Sequence, residues 1–234
     1  MNLFRNIILI FTLLGSFFTI GQSDFITWAG LELKTSVSKK IELNLKGQSR
    51  FDRNSSHLKN TFISPGIRLK VHKNIRLSGK YRLSSIPFNL NSSNRILSHR
   101  LTLDAQFRNL LNLILDKPMV DLNVRLRGTH EMEKNKRDDH YIRLRLKGAL
   151  NLKKSKITPN ASLEIFYHLN NQITYTFEKV TSHHAINKLR IRIGTDYKLN
   201  KRQELSFFGI YQRELFRLEN DFILGVGYTF ELKK

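Results

Sequence analysis

Arginine is the residue type with the most chemistry to offer in this sequence, and its spacing is regular. Arg68, Arg76, Arg82, Arg100, Arg125, Arg127, Arg143, Arg145, Arg190 and Arg192 fall on alternate positions of segments whose other positions are mostly apolar, as in Ile142-Arg143-Leu144-Arg145-Leu146. A guanidinium stays charged at physiological pH and presents a planar fork of donors that matches carboxylate or phosphate. Glu32, Glu42, Asp104, Asp121, Glu164 and Asp196 share the arginines' parity and are their natural partners. Lys and Arg nevertheless number 40 against 19 Asp and Glu, a formal net charge of +21. Two arrangements suit such a set: a salt-bridge network that fills a closed space, or a polar space that favours anions. The ten arginines are expected to line that space in either case.

Other reactive types are present, but in no spacing that fixes a mechanism. Ser98 adjoins His99, His168 lies among alternating residues, and His183 adjoins His184. A nucleophile needs its base within hydrogen-bond reach, and sequence adjacency does not supply that. Two neighbouring histidines without a third ligand make a weak metal site. The chain has no Cys, which excludes disulfides and thiolate ligands. No catalytic residue, metal or cofactor is therefore expected. Nucleic-acid binding would need the basic residues gathered on one patch beside stacking aromatics. Here they are spread over alternate positions along the whole chain, so no nucleic-acid partner is expected.

The elements that must position these residues follow from the period. Apolar residues recur at every second position through residues 25–37, 41–51, 63–71, 75–83, 97–107, 120–127, 142–147, 161–168, 188–197, 205–211 and 221–231. Strict alternation marks strands with one apolar and one polar face. Ile26, Trp28 and Phe166 break the polar set. Residues 110–115 read as a strand end running into the turn before Pro118. Short basic turns at 38–40, 72–74, 153–156 and 200–202 alternate with longer polar loops at 54–60, 86–94, 131–139 and 170–184. That alternation is a pattern of outer-membrane barrels. Aromatic residues near strand ends, among them Phe25, Phe51, Phe62, Tyr81, Phe107, Tyr141, Tyr211 and Phe222, suggest interfacial girdles.

Amphipathic strands without a covering helix leave two architectures: a soluble β-sandwich, or a closed barrel that turns its apolar faces to lipid. Residues 1–21 have the features of a cleaved signal peptide, with Arg5, an apolar run over 7–18 and small residues at Thr19 and Gly21. The run is too short to span a bilayer as a helix. The sequence therefore predicts an all-β protein: an exported antiparallel up-and-down barrel over 22–234 in the outer membrane, with lipid and small anions as partners. Eleven strand segments are legible, but bacterial single-chain barrels carry even numbers. Ten or twelve strands are expected, with one missed or split near 110–115 or 172–180.

Several runs resemble a known family. They are Arg143-Leu144-Arg145-Leu146-Lys147, Leu163-Glu164-Ile165-Phe166-Tyr167, Gly79-Lys80-Tyr81-Arg82 and Ile223-Leu224-Gly225-Val226-Gly227-Tyr228. The resemblance is to DUF2490, short outer-membrane barrels of unknown function common in Bacteroidota, and it covers nearly all of the chain after the signal segment. It implies a barrel and a location, and it offers no catalytic residues to carry over. Two alternatives remain: a lipid-modifying enzyme on the same barrel, drawing on Ser98 and His99, and a secreted soluble β-sandwich.

Overall fold

The structure, a computed structural model, describes residues 23–87, 94–116, 118–133, 138–152, 155–176, 179–215 and 220–232, with side chains described except at 23, 87 and 170–185. The expected signal segment, and the side chains of His183 and His184, lie outside the described residues.

Eleven strands form among the described residues, one for each alternating segment. They are β1 (Ser23–Ser36), β2 (Ile41–Asp52), β3 (His57–Lys70), β4 (Ile75–Pro87), β5 (Arg95–Phe107) and β6 (Val120–Glu133). The second half adds β7 (Asp139–Leu150), β8 (Ile157–Thr176), β9 (Lys179–Lys198), β10 (Gln203–Glu214) and β11 (Asn220–Glu231). Each strand pairs antiparallel with the next. β1 then pairs with β11, and the sheet closes into one barrel. The single closed sheet rules out the two-layered sandwich.

Closure corrects one expectation. An odd meander brings its last strand back running in the same direction as its first, so the seam must be parallel. It is, with Ile26 opposite Ile223, Trp28 opposite Gly225 and Gly30 opposite Gly227. A parallel ladder is only slightly weaker than an antiparallel one and still pairs every edge group. An even count is therefore not required for closure. Among the described residues, neither suspected region holds another strand. Residues Leu110–Leu113 form a 3-10 turn inside the β5–β6 connection. Residues 172–176 and 179–183 are paired as the end of the β8–β9 hairpin.

That hairpin also alters the expected rims. β8 and β9 are 20 residues each, whereas the other strands have 12 to 14. The segment expected as a long loop at 170–184 is thus mostly strand, and it projects past its neighbours. We call the end from which it projects the hairpin rim, and the opposite end the turn rim. At the hairpin rim, the β2–β3 connection shrinks to residues 53–56. Arg53, Asn54 and Ser55 adopt φ of 51°, 55° and 64°. The Asp24 carboxylate accepts from the Arg53 and Asn54 backbone N–H groups at 3.0 and 2.9 Å and holds this left-handed turn in place. At the turn rim, Ser38 Oγ accepts from Ile41 N at 3.0 Å, and Asn200 Oδ1 from Arg202 N at 2.8 Å.

Burial is inverted relative to a water-soluble fold. Among the described residues the buried hydrophobics are Ile26, Phe62, Phe166, Ile210 and Ile223. Twelve polar residues among those described are buried, including Asp104 and Glu164. Large apolar side chains stand exposed on all eleven strands, Leu103 at 73% and Ile193 at 63% among them. The period-two pattern therefore places its polar set inside and its apolar set outside.

Two glycines on the inner face have steric reasons. A Cβ on Gly194 would lie 2.5 Å from the Phe207 carbonyl oxygen, and one on Gly66 would lie 2.6 Å from Asn44 Oδ1. At Gly194 the neighbouring backbone approaches too closely for a side chain, and at Gly66 the Asn44 and Lys80 side chains fill the space.

Candidate luminal anion site

The strand register decides which charges meet. It sets Arg82 opposite Arg100, Arg125 opposite Arg145 and Arg127 opposite Arg143. Like charges directly opposed across two strands repel. The sheet tolerates them because a third strand brings a carboxylate to most of these pairs.

Glu164 on β8 is the clearest case. It stands across from Arg145 on β7 and Arg190 on β9. Its oxygens lie 3.4 Å from Arg145 Nε and 3.2 Å from Arg190 Nη1. Arg143 Nη1 reaches it at 3.2 Å and Arg125 Nη2 at 3.6 Å. One carboxylate thus gathers four arginines from three strands at mid-height in the lumen. Asp104 on β5 plays the same part nearer the turn rim. Arg127 grips it with a fork, through Nε and through Nη2 at 2.7 Å, and Lys80 Nζ lies 3.8 Å away. Asp196 accepts from Asn160 and Ser206 at 3.0 and 2.7 Å, with Lys147 at 3.6 Å. Glu42 pairs with Arg68, and Glu131 with Arg100.

All ten arginines predicted from the sequence lie on the inner face. The structure joins Arg125, Arg143, Arg145 and Arg190 around Glu164, and Arg127 to Asp104. Arg68 and Arg76 sit apart near the turn rim. Arg82 and Arg192 have no carboxylate within 4.0 Å among the described residues. Arg50, which belongs to the same polar face, shares that condition.

These three stack on aromatic rings instead. The Arg82 guanidinium lies 3.7 Å from the centroid of Phe62, and Arg192 3.8 Å from that of Phe208. Arg50 sits over Trp28 at 4.3 Å and Phe62 at 5.2 Å. Arg143 and Arg190 lie over Phe166 at 5.1 and 5.0 Å. An aromatic face attracts a cation, more so where water is scarce. Phe62 and Tyr141 therefore do not belong to a lipid-facing girdle: Phe62 is buried in the lumen and Tyr141 lines its chamber. Trp28 and Phe166, which break the polar alternation, turn out to be its cation-binding platforms. That break was the one sequence signal for this aromatic layer, and Phe62 and Phe208 gave none.

Towards the hairpin rim the lumen opens into a chamber of about 400 Å³. Among the described residues its wall carries seven cationic side chains, Arg50 and Arg82 among them, and three carboxylates, Glu131, Asp139 and Glu214. His168 Nδ1 lies 3.2 Å from Asp139 in this wall, and its ring stacks on Tyr141. Ser98 and His99 do not form a pair. Ser98 points inward and donates to Glu131 at 3.3 Å, whereas His99 Nδ1 meets the Tyr81 hydroxyl at 2.6 Å on the outer face. Adjacent strand residues point to opposite faces, so they cannot share a proton.

Together these features define a class: a closed single-sheet β-barrel of the outer-membrane type, with an apolar outer wall and a cationic lumen. Residues 25–230 match the family described as "Protein of unknown function (DUF2490)", and the chain belongs to that family. No curated protein matches the chain in sequence. Among solved structures it is similar to the translocator domain of the autotransporter NalP from Neisseria meningitidis. The TM-score is 0.46 and the identity 11%, over 76% of this chain and 70% of that one. It is also similar to a chain described under "Unveiling the Mechanism Behind the in-meso Crystallization of Membrane Proteins". There the TM-score is 0.43 and the identity 13%, over 89% of this chain and 81% of that one.

Proposed function

We propose that this protein is a non-catalytic outer-membrane barrel whose narrow lumen favours anions. The observation that carries the reading is the inverted burial: apolar side chains exposed on all eleven strands around a polar, charged interior. Soluble monomers rarely expose contiguous apolar patches beyond a few hundred Å². A bilayer requires such a surface, and it also requires a sheet without edges. Strands of 12 or more residues exceed the roughly 9–11 needed for a tilted crossing. The partners that follow are lipid around the outer wall and small anions within.

Anion preference follows from the chamber wall, where cations outnumber carboxylates. Glu164 and its four arginines form the constriction in this reading, because side chains from four strands, β6 to β9, meet there. In planar bilayers the purified protein should give a small anion-selective current. Neutralising Arg143 and Arg145 together should lower that selectivity. A cation-selective current, or recovery of the protein from the soluble periplasm, would defeat the reading. A second reading, a barrel plugged by the same network, is favoured by the cross-linking of β6, β7, β8 and β9 through Glu164. Normal insertion with a silent bilayer would select it.

A further inference from the structure

We propose that the chamber at the hairpin rim holds a specific site for a small phosphate-bearing solute, with Arg50 and Arg82 as its principal ligands. The inference rests on the luminal placement argued above, but not on conduction, because a plugged barrel could bind the same solute.

Unsatisfied charge is the first support. Arg50 and Arg82 have no carboxylate within 4.0 Å among the described residues, although every other arginine on the chamber wall does. Their Nε atoms are buried without an acceptor, as are those of Arg100 and Arg143 on the same wall, but only Arg50 and Arg82 combine this with the lack of a carboxylate. A buried donor without a partner costs free energy and calls for an explanation such as a bound ion. The register aggravates the cost, since Arg82 is held directly opposite Arg100.

Preorganisation is the second. Phe62 packs under both guanidinium groups, and Trp28 flanks Arg50. Aromatic contact satisfies none of the N–H donors, so the guanidinium groups keep their hydrogen-bonding capacity for a solute oxygen. A planar fork with free edges suits a phosphate or carboxylate oxygen pair. Two such forks beside Arg100 suit a doubly charged group better than a single carboxylate.

Space and access are the third. About 400 Å³ exceeds what an inorganic ion needs and lies within the usual range for small-molecule sites. Tyr141, Phe166 and His168 would face the organic part of the solute. Glu131, Asp139 and Glu214 lie near the ends of β6, β7 and β10 at the hairpin rim, so a solute would enter from water rather than from the lipid belt.

The test uses full-length mature protein folded in a phosphate-free zwitterionic detergent, with heat-modifiable gel migration as the check that each variant is a barrel. Inorganic phosphate is titrated by calorimetry at constant ionic strength against chloride. Saturable binding near one per barrel is expected, weakened at least tenfold in Arg50→Gln/Arg82→Gln and unchanged in Arg76→Gln. The double variant should also melt higher than wild type when no phosphate is present, because it loses two uncompensated charges. A purely structural role for these arginines predicts a lower melting point. Equal responses to phosphate and chloride, or undiminished binding by the double variant, would overturn the proposal. So would stabilisation by phosphatidylglycerol in the micelle with none from free phosphate. Loss of the heat-modifiable band in wild type would instead defeat the barrel reading.

Discussion

Replacing Glu164 by Gln removes one charge and almost no volume, and the structure gives the expected cost. The Glu164 side chain is 7% exposed and its four arginines are 12–19% exposed. The pair distances run from 3.2 to 3.6 Å. At an effective dielectric constant near 20, each attraction is about 4–5 kcal/mol before other terms. Repulsion among the four arginines and the desolvation of all five groups offset much of that sum. The net loss on breaking a buried ion pair is therefore the better guide, about 3–5 kcal/mol. Urea unfolding of barrels refolded into lipid vesicles would measure it. The midpoint should fall with the slope unchanged, because the surface exposed on unfolding is the same. Adding Arg145→Gln to Glu164→Gln should restore part of the loss, since the second change removes a stranded cation. A change below about 1 kcal/mol would refute the reasoning, because that is the cost at a solvated surface pair. It would mean that water fills the lumen at mid-height.

Other perturbations probe the wall and the seam. Leu103→Arg, on the outer face of β5, should destabilise the vesicle-embedded barrel by about 2–4 kcal/mol if it lies near the bilayer midplane; a neutral result in lipid would contradict an embedded outer wall. Gly194→Ala should cost about 1–3 kcal/mol because its Cβ would press on the Phe207 carbonyl. Gly47→Ala meets open space and should stay within about 0.5 kcal/mol of wild type in the same urea titration. Ile223→Ala removes the centre of the Ile26–Ile210–Ile223 cluster and should cost about 2–5 kcal/mol. Faster hydrogen exchange in β1 and β11 than in β6 and β7 would show that the loss falls on the parallel seam.

Sequence alone determined the strands and their faces. A side-chain period of two leaves one freedom, which face looks inward, and the charges fix it: Arg143 and Arg145 cannot face lipid, and Leu144 and Leu146 can. Eleven runs were legible for the same reason, since each run between turn signals is one crossing, but the even-number rule for bacterial barrels turned that count into an expectation of ten or twelve, which the parallel seam overturns. Tertiary structure alone decided what alternation does not encode. Closure through a parallel seam depends on how the two ends of the sheet meet, which no local pattern records. The aromatic layer under Arg50, Arg82 and Arg192 was visible only as exceptions at Trp28 and Phe166, because Phe62 reads as a strand-end aromatic and Phe208, in the middle of β10, is masked by its outward neighbour Phe207. Pairing followed the same rule. Glu164 meets Arg125 and Arg190 across three strands and 65 residues of chain, and Ser98 misses His99 next door, because in a sheet the distance between side chains is set by register and face rather than by separation along the chain.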